Sequence, residues 1–78
     1  MSYTIKYFGR LEELTGTAEE SLDLAASTVG ELRAAVVDKH SALKEASYRI
    51  AVDHQIAEDT TLLNTGAEVA LLPPFSGG

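Results

Sequence analysis

The sequence predicts an α+β domain in which one main helix packs on one face of a mixed sheet of about five strands. Three observations lead to this class. The chain has 78 residues, enough for a single hydrophobic core. Most of its apolar residues alternate with polar ones, as in half-buried strands. Only residues 28–39 combine helical spacing with a capping motif. The domain is expected to cover residues 1–72, followed by an extended tail at residues 73–78.

The amino-acid composition and the net charge exclude several kinds of site and argue against several kinds of partner. The chain has no cysteine, which excludes disulfides, a thiolate zinc site and a cysteine nucleophile. Twelve acidic residues against six basic ones give a net charge of −6, which argues against nucleic acid or an anionic membrane as a partner. A partner with a basic surface is favoured. The N-terminus alternates and carries charge, unlike a secretory leader, and no apolar run can span a bilayer, so a cytoplasmic protein is expected.

The first strand is predicted at Ser2–Phe8. Its odd-numbered positions form one aromatic and β-branched face, made of Tyr3, Ile5 and Tyr7. A short helix is predicted at Arg10–Thr15, with Gly16 as the residue that ends it. Alternation returns at Glu19–Leu24 and predicts the second strand.

The main helix is predicted to begin after Thr28 and to end near Lys39. Thr28 and Glu31 have the spacing of a capping box, in which each side chain bonds the backbone of the other residue. The apolar stripe that should face the sheet consists of Val29, Leu32, Ala35 and Val36.

The second half of the chain is dominated by strands. The Asp53-His54 pair is typical of a tight turn between two of them. The predicted elements are a helical turn around Leu43, strands at residues 49–53, 55–57 and 68–72, and a turn with a 3₁₀ segment at residues 58–63. The last strand is the most apolar and should lie centrally in the sheet.

Parity along the strands separates a core face from an open face. The side chains expected in the core are Ile5, Leu22, Leu32, Val36, Ile50, Val52, Val69 and Leu71. The opposite face then carries Thr4, Lys6, Phe8, Arg49, Ala51, Ala70 and Leu72. Phe8 and Leu72 are large apolar residues on a face that meets water, which predicts a docking patch that also includes Ala51, Ala70 and Phe75. The alternative is that Phe8 folds under the short helix.

Most catalytic constellations are absent from the sequence. His40 and His54 lie fourteen residues apart without further metal-ligand spacing, so no metal site is expected and both are interpreted as exposed helix-end and turn residues. The adjacent acidic pairs are interpreted as solvated surface: Glu12/Glu13, Glu19/Glu20 and Glu58/Asp59. There is no phosphate-binding glycine loop, and Ser76 lacks the context of a nucleophile elbow. The chain is not expected to be an enzyme on its own.

The end of the chain is the informative feature. Pro73 and Pro74 lack backbone donors, so they end the last strand and hold the following residues extended. Phe75 and Ser76 follow, and then two glycines without Cβ atoms, Gly77 and Gly78. Such a terminus can pass through a narrow channel and present its carboxylate to another protein's active site.

Two segments carry a resemblance to a known family. The opening, KYFGRLEELTG at residues 6–16, and the close, GAEVALLPPFSGG at residues 66–78, resemble the small sulfur-carrying subunit of molybdopterin synthase, the MoaD family. Members of that family have the ubiquitin-like β-grasp fold, which the resemblance implies here. The chain departs from the family pattern at Asp53, where Asn is usual, and at Gly9 and Glu12, which stand in place of Ala and Arg.

The resemblance implies a function in molybdenum-cofactor synthesis. A ubiquitin-activating-type (MoeB-like) adenylyltransferase would use ATP to convert Gly78 to an acyl adenylate, and a sulfur donor enzyme would convert that to a thiocarboxylate. The large synthase subunit, in a heterotetramer, would then receive the sulfur for a pyranopterin precursor. No cofactor is expected to be bound. The partner-binding residues would be Phe8, Leu72, Pro73, Pro74, Phe75 and Ser76, with Gly77 keeping the tail unhindered.

Two alternatives share the same activation chemistry. One is a sulfur carrier for another thiolation pathway. The other is a ubiquitin-like modifier that conjugates Gly78 to lysines, and no residue in the sequence separates it cleanly from a carrier.

Overall fold

The computed structural model describes residues 2–74, which form one five-stranded mixed sheet with a helix on one face. The elements are β1 (Ser2–Tyr7), α1 (Arg10–Thr15), β2 (Glu19–Asp23), α2 (Val29–Lys39), a 3₁₀ helix (Ser41–Glu45), β3 (Arg49–Val52), β4 (Gln55–Ile56) and β5 (Glu68–Leu72). The strand order is β2-β1-β5-β3-β4. No helix within these residues is both long and apolar enough to cross a membrane.

The first and last strands form the centre of the sheet. β1 and β5 pair in parallel, with Ile5 opposite Val69, and β5 pairs antiparallel with β3, with Ile50 opposite Leu71. The predicted central position of the last strand is confirmed. β5 is the most apolar of the five because it carries apolar residues on both faces: Val69 and Leu71 are buried on the covered face, and Ala70 and Leu72 line the open face.

The strands at residues 2–8, 19–24, 49–53 and 55–57 each end one residue earlier than predicted. At the end of β3 the cause is visible. Asp53 and His54 have φ values of 49° and 72°, the pattern of a type I′ turn, so Asp53 belongs to the turn and not to the strand. The turn predicted from the Asp-His pair is confirmed.

The capping box of α2 is confirmed. The backbone N–H of Glu31 donates to the Thr28 hydroxyl at 3.3 Å, and the Thr28 N–H donates to the Glu31 carboxylate at 3.1 Å. The helix ends at Lys39, as its apolar stripe predicts. Because the cap satisfies two backbone donors at once, residues next to one another in the chain determine where α2 begins.

The segment at residues 58–63 differs from the prediction. It holds a turn but no 3₁₀ helix, because its backbone bonds the start of α2: Val29 N–H donates to the Thr61 carbonyl and Gly30 N–H to that of Asp59, both at 2.9 Å. A side chain at position 30 would begin 3.2 Å from the Asp59 Cβ, so glycine there allows this close approach. The 3₁₀ helix lies instead around buried Leu43, where a helical turn was predicted.

The core lies between α2 and the sheet. Six of the eight predicted core side chains are buried: Ile5, Leu32, Val36, Ile50, Val69 and Leu71. Leu22 and Val52 are only half-buried and pack against the core from its margin. Leu22 lies on the edge strand β2, and Val52 is the last residue of β3. Both positions are at the margin of the sheet, where α2 covers it incompletely.

A polar cluster ties the edge strand β2 to the end of α2. The Glu20 carboxylate accepts hydrogen bonds from the Tyr7 hydroxyl and the Lys39 ammonium, and lies against His40 Nε2, each at 2.6 Å. The rings of Tyr7 and His40 meet edge to face at 5.7 Å. Two sequence interpretations are therefore wrong: Glu20 is not a fully solvated carboxylate, and the side chain of His40 is only 14% exposed.

Burial and hydrogen bonding act in opposite directions on the pKa of Glu20. Burial raises it, but the bonds from Lys39, Tyr7 and His40 outweigh burial and lower the pKa to about 2. The pKa of the Tyr7 hydroxyl is raised, first by burial and then by its bond to the Glu20 carboxylate. The carboxylate therefore remains charged, and the cluster intact, across the neutral range.

Candidate functional site

The candidate site lies where β5 ends and the tail begins. Leu72, the last residue of β5, lies on the sheet face that α2 does not cover, opposite Arg49 of β3 in register. Beside it, the Phe8 N–H donates to the Leu71 carbonyl at 3.2 Å, which holds Phe8 next to the end of β5. The Phe8 side chain is 44% exposed, and Leu11 instead fills the space under α1, so the alternative placement of Phe8 is wrong.

A shallow depression of about 330 Å³ adjoins these two residues on the open face. Its apolar lining consists of Phe8, Ala51, Ile56, Ala70 and Leu72. Ile56 is 55% exposed although it is fully apolar. The alternation of side chains therefore predicts this face correctly, since four of the five predicted patch residues line one continuous surface: Phe8, Ala51, Ala70 and Leu72. Phe75, the fifth, lies outside the described residues.

The far end of the depression is charged. Lys6 Nζ lies 3.4 Å from one oxygen of Glu68, and His54 Nε2 lies 3.8 Å from the other. The type I′ turn fixes this end, since Asp53 N–H donates to the Glu68 carbonyl at 2.9 Å and Glu68 N–H donates to the Asp53 carboxylate at 3.1 Å. The open face is therefore apolar near the tail and charged at its far end.

The prolines of the tail root leave the sheet along a defined path. Pro73 packs against Gly9, where an added Cβ would lie 3.2 Å from the Pro73 Cγ. Gly9 has a φ of 58°, in the region that favours glycine, so both its backbone and its lack of a side chain suit this contact. Pro74 is exposed. Pro73, the first tail residue, is thus held against the domain.

The remaining predicted site residues, Phe75, Ser76, Gly77 and Gly78, lie outside the described residues. Within residues 2–74 no three His, Cys, Asp or Glu side chains are grouped as metal ligands would be.

The sequence did not predict two features of the surface. Ile56 lies on a strand of two residues, too short for alternation to show which face it occupies. The other is a cleft between α1 and the 3₁₀ helix, which includes Pro73 and Pro74. That cleft depends on the tertiary contact of two short elements, and the apolar pair Leu11 and Leu14 was its only sequence signal.

Comparison with known proteins identifies the family. The model of the ThiS family matches residues 5–78, nearly the whole chain. The chain belongs to the ThiS family. This ThiS-family chain is similar in sequence to the molybdopterin synthase sulfur carrier subunit of Caenorhabditis briggsae. The two are 35% identical over an alignment of 83 residues, which covers 100% of this chain and 99% of the relative.

Solved structures agree with this assignment. The ThiS-family chain is similar to small archaeal modifier protein 1 of Haloferax volcanii, with a TM-score of 0.86, 28% identity and full coverage of both chains. It is also similar to a chain in the complex of subunits 1 and 2 of the molybdopterin-converting factor from Helicobacter pylori, with a TM-score of 0.72, 27% identity and full coverage of both chains. The predicted ubiquitin-like β-grasp fold is confirmed.

Proposed function

We propose that this ThiS-family chain is the small sulfur-carrier subunit of a molybdopterin synthase and that Gly78 carries the sulfur. One observation supports this most strongly: the exposed apolar depression lies directly beside the root of a tail that ends in Gly-Gly. The curated relative with 35% identity bears the name of that carrier. A domain that offers its C-terminus to a partner needs a docking surface next to the tail, and the position and apolar lining of the depression support this assignment.

The chemistry begins with activation of the terminal carboxylate. A carboxylate is a poor electrophile, so an oxygen of Gly78 first attacks the α-phosphate of ATP and pyrophosphate leaves, in the active site of a ubiquitin-activating-type, MoeB-like enzyme. A sulfur at the oxidation level of hydrosulfide, supplied by a donor enzyme, then attacks the acyl carbon and AMP leaves. The product is a thiocarboxylate, a sulfur nucleophile that requires no cysteine in the chain.

Transfer takes place in the large synthase subunit, in a heterotetramer. The tail enters that subunit, and the thiocarboxylate sulfur attacks a carbon of the pyranopterin precursor that carries an oxygen leaving group, so that a carbon–sulfur bond forms as the carbon–oxygen bond breaks. Water then cleaves the resulting thioester, which leaves the sulfur on the pterin and returns Gly78 to the carboxylate. Substrate-binding and acid–base groups belong to the large subunit. In this chain Phe8 and Leu72 dock, Pro73 and Pro74 direct the tail with Phe75 and Ser76, and Gly77 keeps it narrow.

A second candidate function is protein modification, in which Gly78 is joined to lysines of other proteins. The observation that favours it is the similarity to a protein named as a small archaeal modifier, over the full length of both chains. Sulfur delivery to another thiolation pathway is a variant of the first proposal. The candidates share the activated tail and differ in the product.

A C-terminal extension tests the carrier proposal. One glycine added after Gly78 should abolish thiocarboxylate formation, because the Gly78 carboxylate becomes a peptide bond and the new terminal carboxylate lies one residue beyond the position that the activating enzyme's active site accepts. The same glycine added before Met1 is the matched control and should leave sulfuration intact, with circular dichroism unchanged for both proteins. Gly77→Val should fold normally and transfer sulfur poorly, since a β-branched side chain obstructs a narrow channel.

Intact mass then separates the candidates. Protein isolated from cells should gain the mass of one oxygen-to-sulfur exchange if it is a carrier, and should appear in isopeptide adducts if it is a modifier. Full sulfuration activity of the extended chain, with the extra residue still attached, would contradict the proposal.

A further inference from the structure

A second cleft adjoins the tail root on the side of the sheet that carries the helices. It measures about 660 Å³ and lies between α1 and the 3₁₀ helix. Pro73 and Pro74 both line it, and it shares no lining residue with the open-face depression. The tail root therefore runs between two surfaces: Leu72 belongs to the open face, and the next two residues belong to this cleft.

The cleft has an apolar floor. Leu11 is buried and Leu14 is half-buried. Ala42 of the 3₁₀ helix and Ala46, the residue that follows it, have small side chains that leave the space open. The contact of Pro73 with Gly9 fixes the wall on the tail side. A preformed apolar space of this kind suits an inserted apolar side chain, since little ordering is needed on binding.

The rim of the cleft carries a positive charge that forms no ion pair within residues 2–74. Within residues 2–74, the Lys6, Arg33 and Lys39 side chains have carboxylate partners within 4 Å, whereas Arg10, Lys44 and Arg49 have none. Of these three cations, Arg10 is the one that lines this cleft. Glu45 lines the same cleft without forming an ion pair with Arg10. A cation at the edge of an apolar cleft favours a ligand with a carboxylate beside its apolar group.

We propose that the cleft between α1 and the 3₁₀ helix is a second docking surface for the large synthase subunit, which places an apolar side chain in the cleft and a carboxylate against Arg10. The inference rests on the proposed function, because it assigns the cleft to the protein that receives the tail. The argument is continuity: a partner that surrounds the chain beyond Pro74 passes both sides of the tail root. The domain is then held from two sides, which fixes the direction in which the tail enters.

Obstruction of the cleft tests the proposal. Ala42→Arg places a long side chain in the cleft from an exposed position of the 3₁₀ helix. Ala34→Arg is the matched control, the same substitution at an exposed position of α2 that does not line the cleft. Calorimetric titration with the large subunit should show affinity reduced at least about tenfold for Ala42→Arg and less than about twofold for Ala34→Arg, with similar melting temperatures.

A charge pair tests the carboxylate contact. Arg10→Gln should weaken binding by about threefold to tenfold, and the loss should shrink as salt is raised. Lys44→Gln is the control, because Lys44 is also exposed and lacks an ion pair within residues 2–74, but lines a different cleft. Equal affinities for the two Gln variants would overturn the Arg10 contact, since a general charge effect moves both alike.

The outcomes distinguish this inference from the proposed function. If the unaltered chain fails to bind the large subunit, the proposed function is wrong. If the unaltered chain binds and Ala42→Arg binds as Ala34→Arg does, only the second docking surface is wrong. Tighter binding of Ala42→Arg would also overturn it, since the cleft would then hold the chain's own tail in competition with the partner.

Discussion

Along the central strands, alternate side chains lie on two different faces of the sheet, one covered by α2 and one open to water. On β1, Tyr3, Ile5 and Tyr7 face α2 and are at most 1% exposed, whereas Lys6 on the same strand and Phe8 just beyond it face water. The helix-covered face is sealed at its edge by the Glu20 cluster, and the open face is a shallow depression. Because side chains alternate strictly along a strand, the residues that form the core and those of the proposed docking surface are neighbours in the chain, and no residue belongs to both sets. Substitutions on the two faces should therefore separate the two properties.

The largest effect is expected on the covered face. Leu32 of α2 is fully buried against the sheet, so Leu32→Ala should lower the free energy of unfolding by about 2–5 kcal/mol through lost apolar contact and a cavity. Denaturant unfolding measures this loss. Affinity for the large subunit, per folded molecule, should not change. An unchanged free energy of unfolding would show that Leu32 does not contribute to the core as its burial indicates.

The next effect concerns the edge of the covered face. Glu20→Gln removes the charge on which Lys39, Tyr7 and His40 converge and should lower the free energy of unfolding at neutral pH by up to about 3 kcal/mol. The pKa of Glu20 falls from 4.5 to about 2 on folding, so its stabilising effect is complete above pH 4.5 and is lost as the pH falls toward 2.

Unfolding of both proteins over that acidic range measures the pH dependence. The difference between Glu20→Gln and the unaltered chain should shrink as the pH falls below 4.5. Asp38→Asn on the exposed side of α2 is the control for the removal of one negative charge and should change the free energy of unfolding at neutral pH little. A constant difference at all these pH values would contradict the assigned charge state of Glu20.

The open face should respond in the opposite manner. Phe8→Ala is expected to weaken binding to the large subunit about tenfold and to leave the melting temperature nearly unchanged, because the ring is 44% exposed at the edge of the proposed interface. Leu62→Ala is the matched control, since Leu62 is 73% exposed elsewhere on the surface. A large loss of stability for Phe8→Ala, with unaltered affinity per folded molecule, would assign Phe8 to the core.

The smallest effect is expected at the charged end of the open face. Lys6 and Glu68 are both more than one-third exposed, and an exposed ion pair contributes about 0.2–1 kcal/mol at most. Lys6→Gln should therefore change the free energy of unfolding by no more than this amount. Addition of 1 M salt should reduce the difference between the two proteins, because the screening length at that ionic strength is about 3 Å. A loss of several kcal/mol would mean that the pair organises the turn at the end of β3.

The elements that the sequence predicts well are those with local causes. The capping box at Thr28 determines where α2 begins, and alternation assigns the faces of β1 and β5. In each case the residues that carry the pattern lie next to one another in the chain.

The elements that the sequence does not predict have long-range causes. Residues 58–63 take their conformation from the unpaired donors at the start of α2, about thirty residues earlier in the chain. Glu20 gains its partners from a helix end that only the finished fold brings near. The cleft between α1 and the 3₁₀ helix arises in the same way, from two short elements that meet only in three dimensions.

The parallel pairing of β1 with β5 also determines when a newly made chain can fold. During translation the residues of β1 leave the ribosome long before those of β5, yet these two strands are direct neighbours at the centre of the sheet. A product that stops before residue 68 lacks the strand that joins the β1–β2 pair to the β3–β4 pair, so its core cannot close. Release of a folded domain therefore requires synthesis through the last strand, and a truncated chain remains unfolded and open to proteolysis.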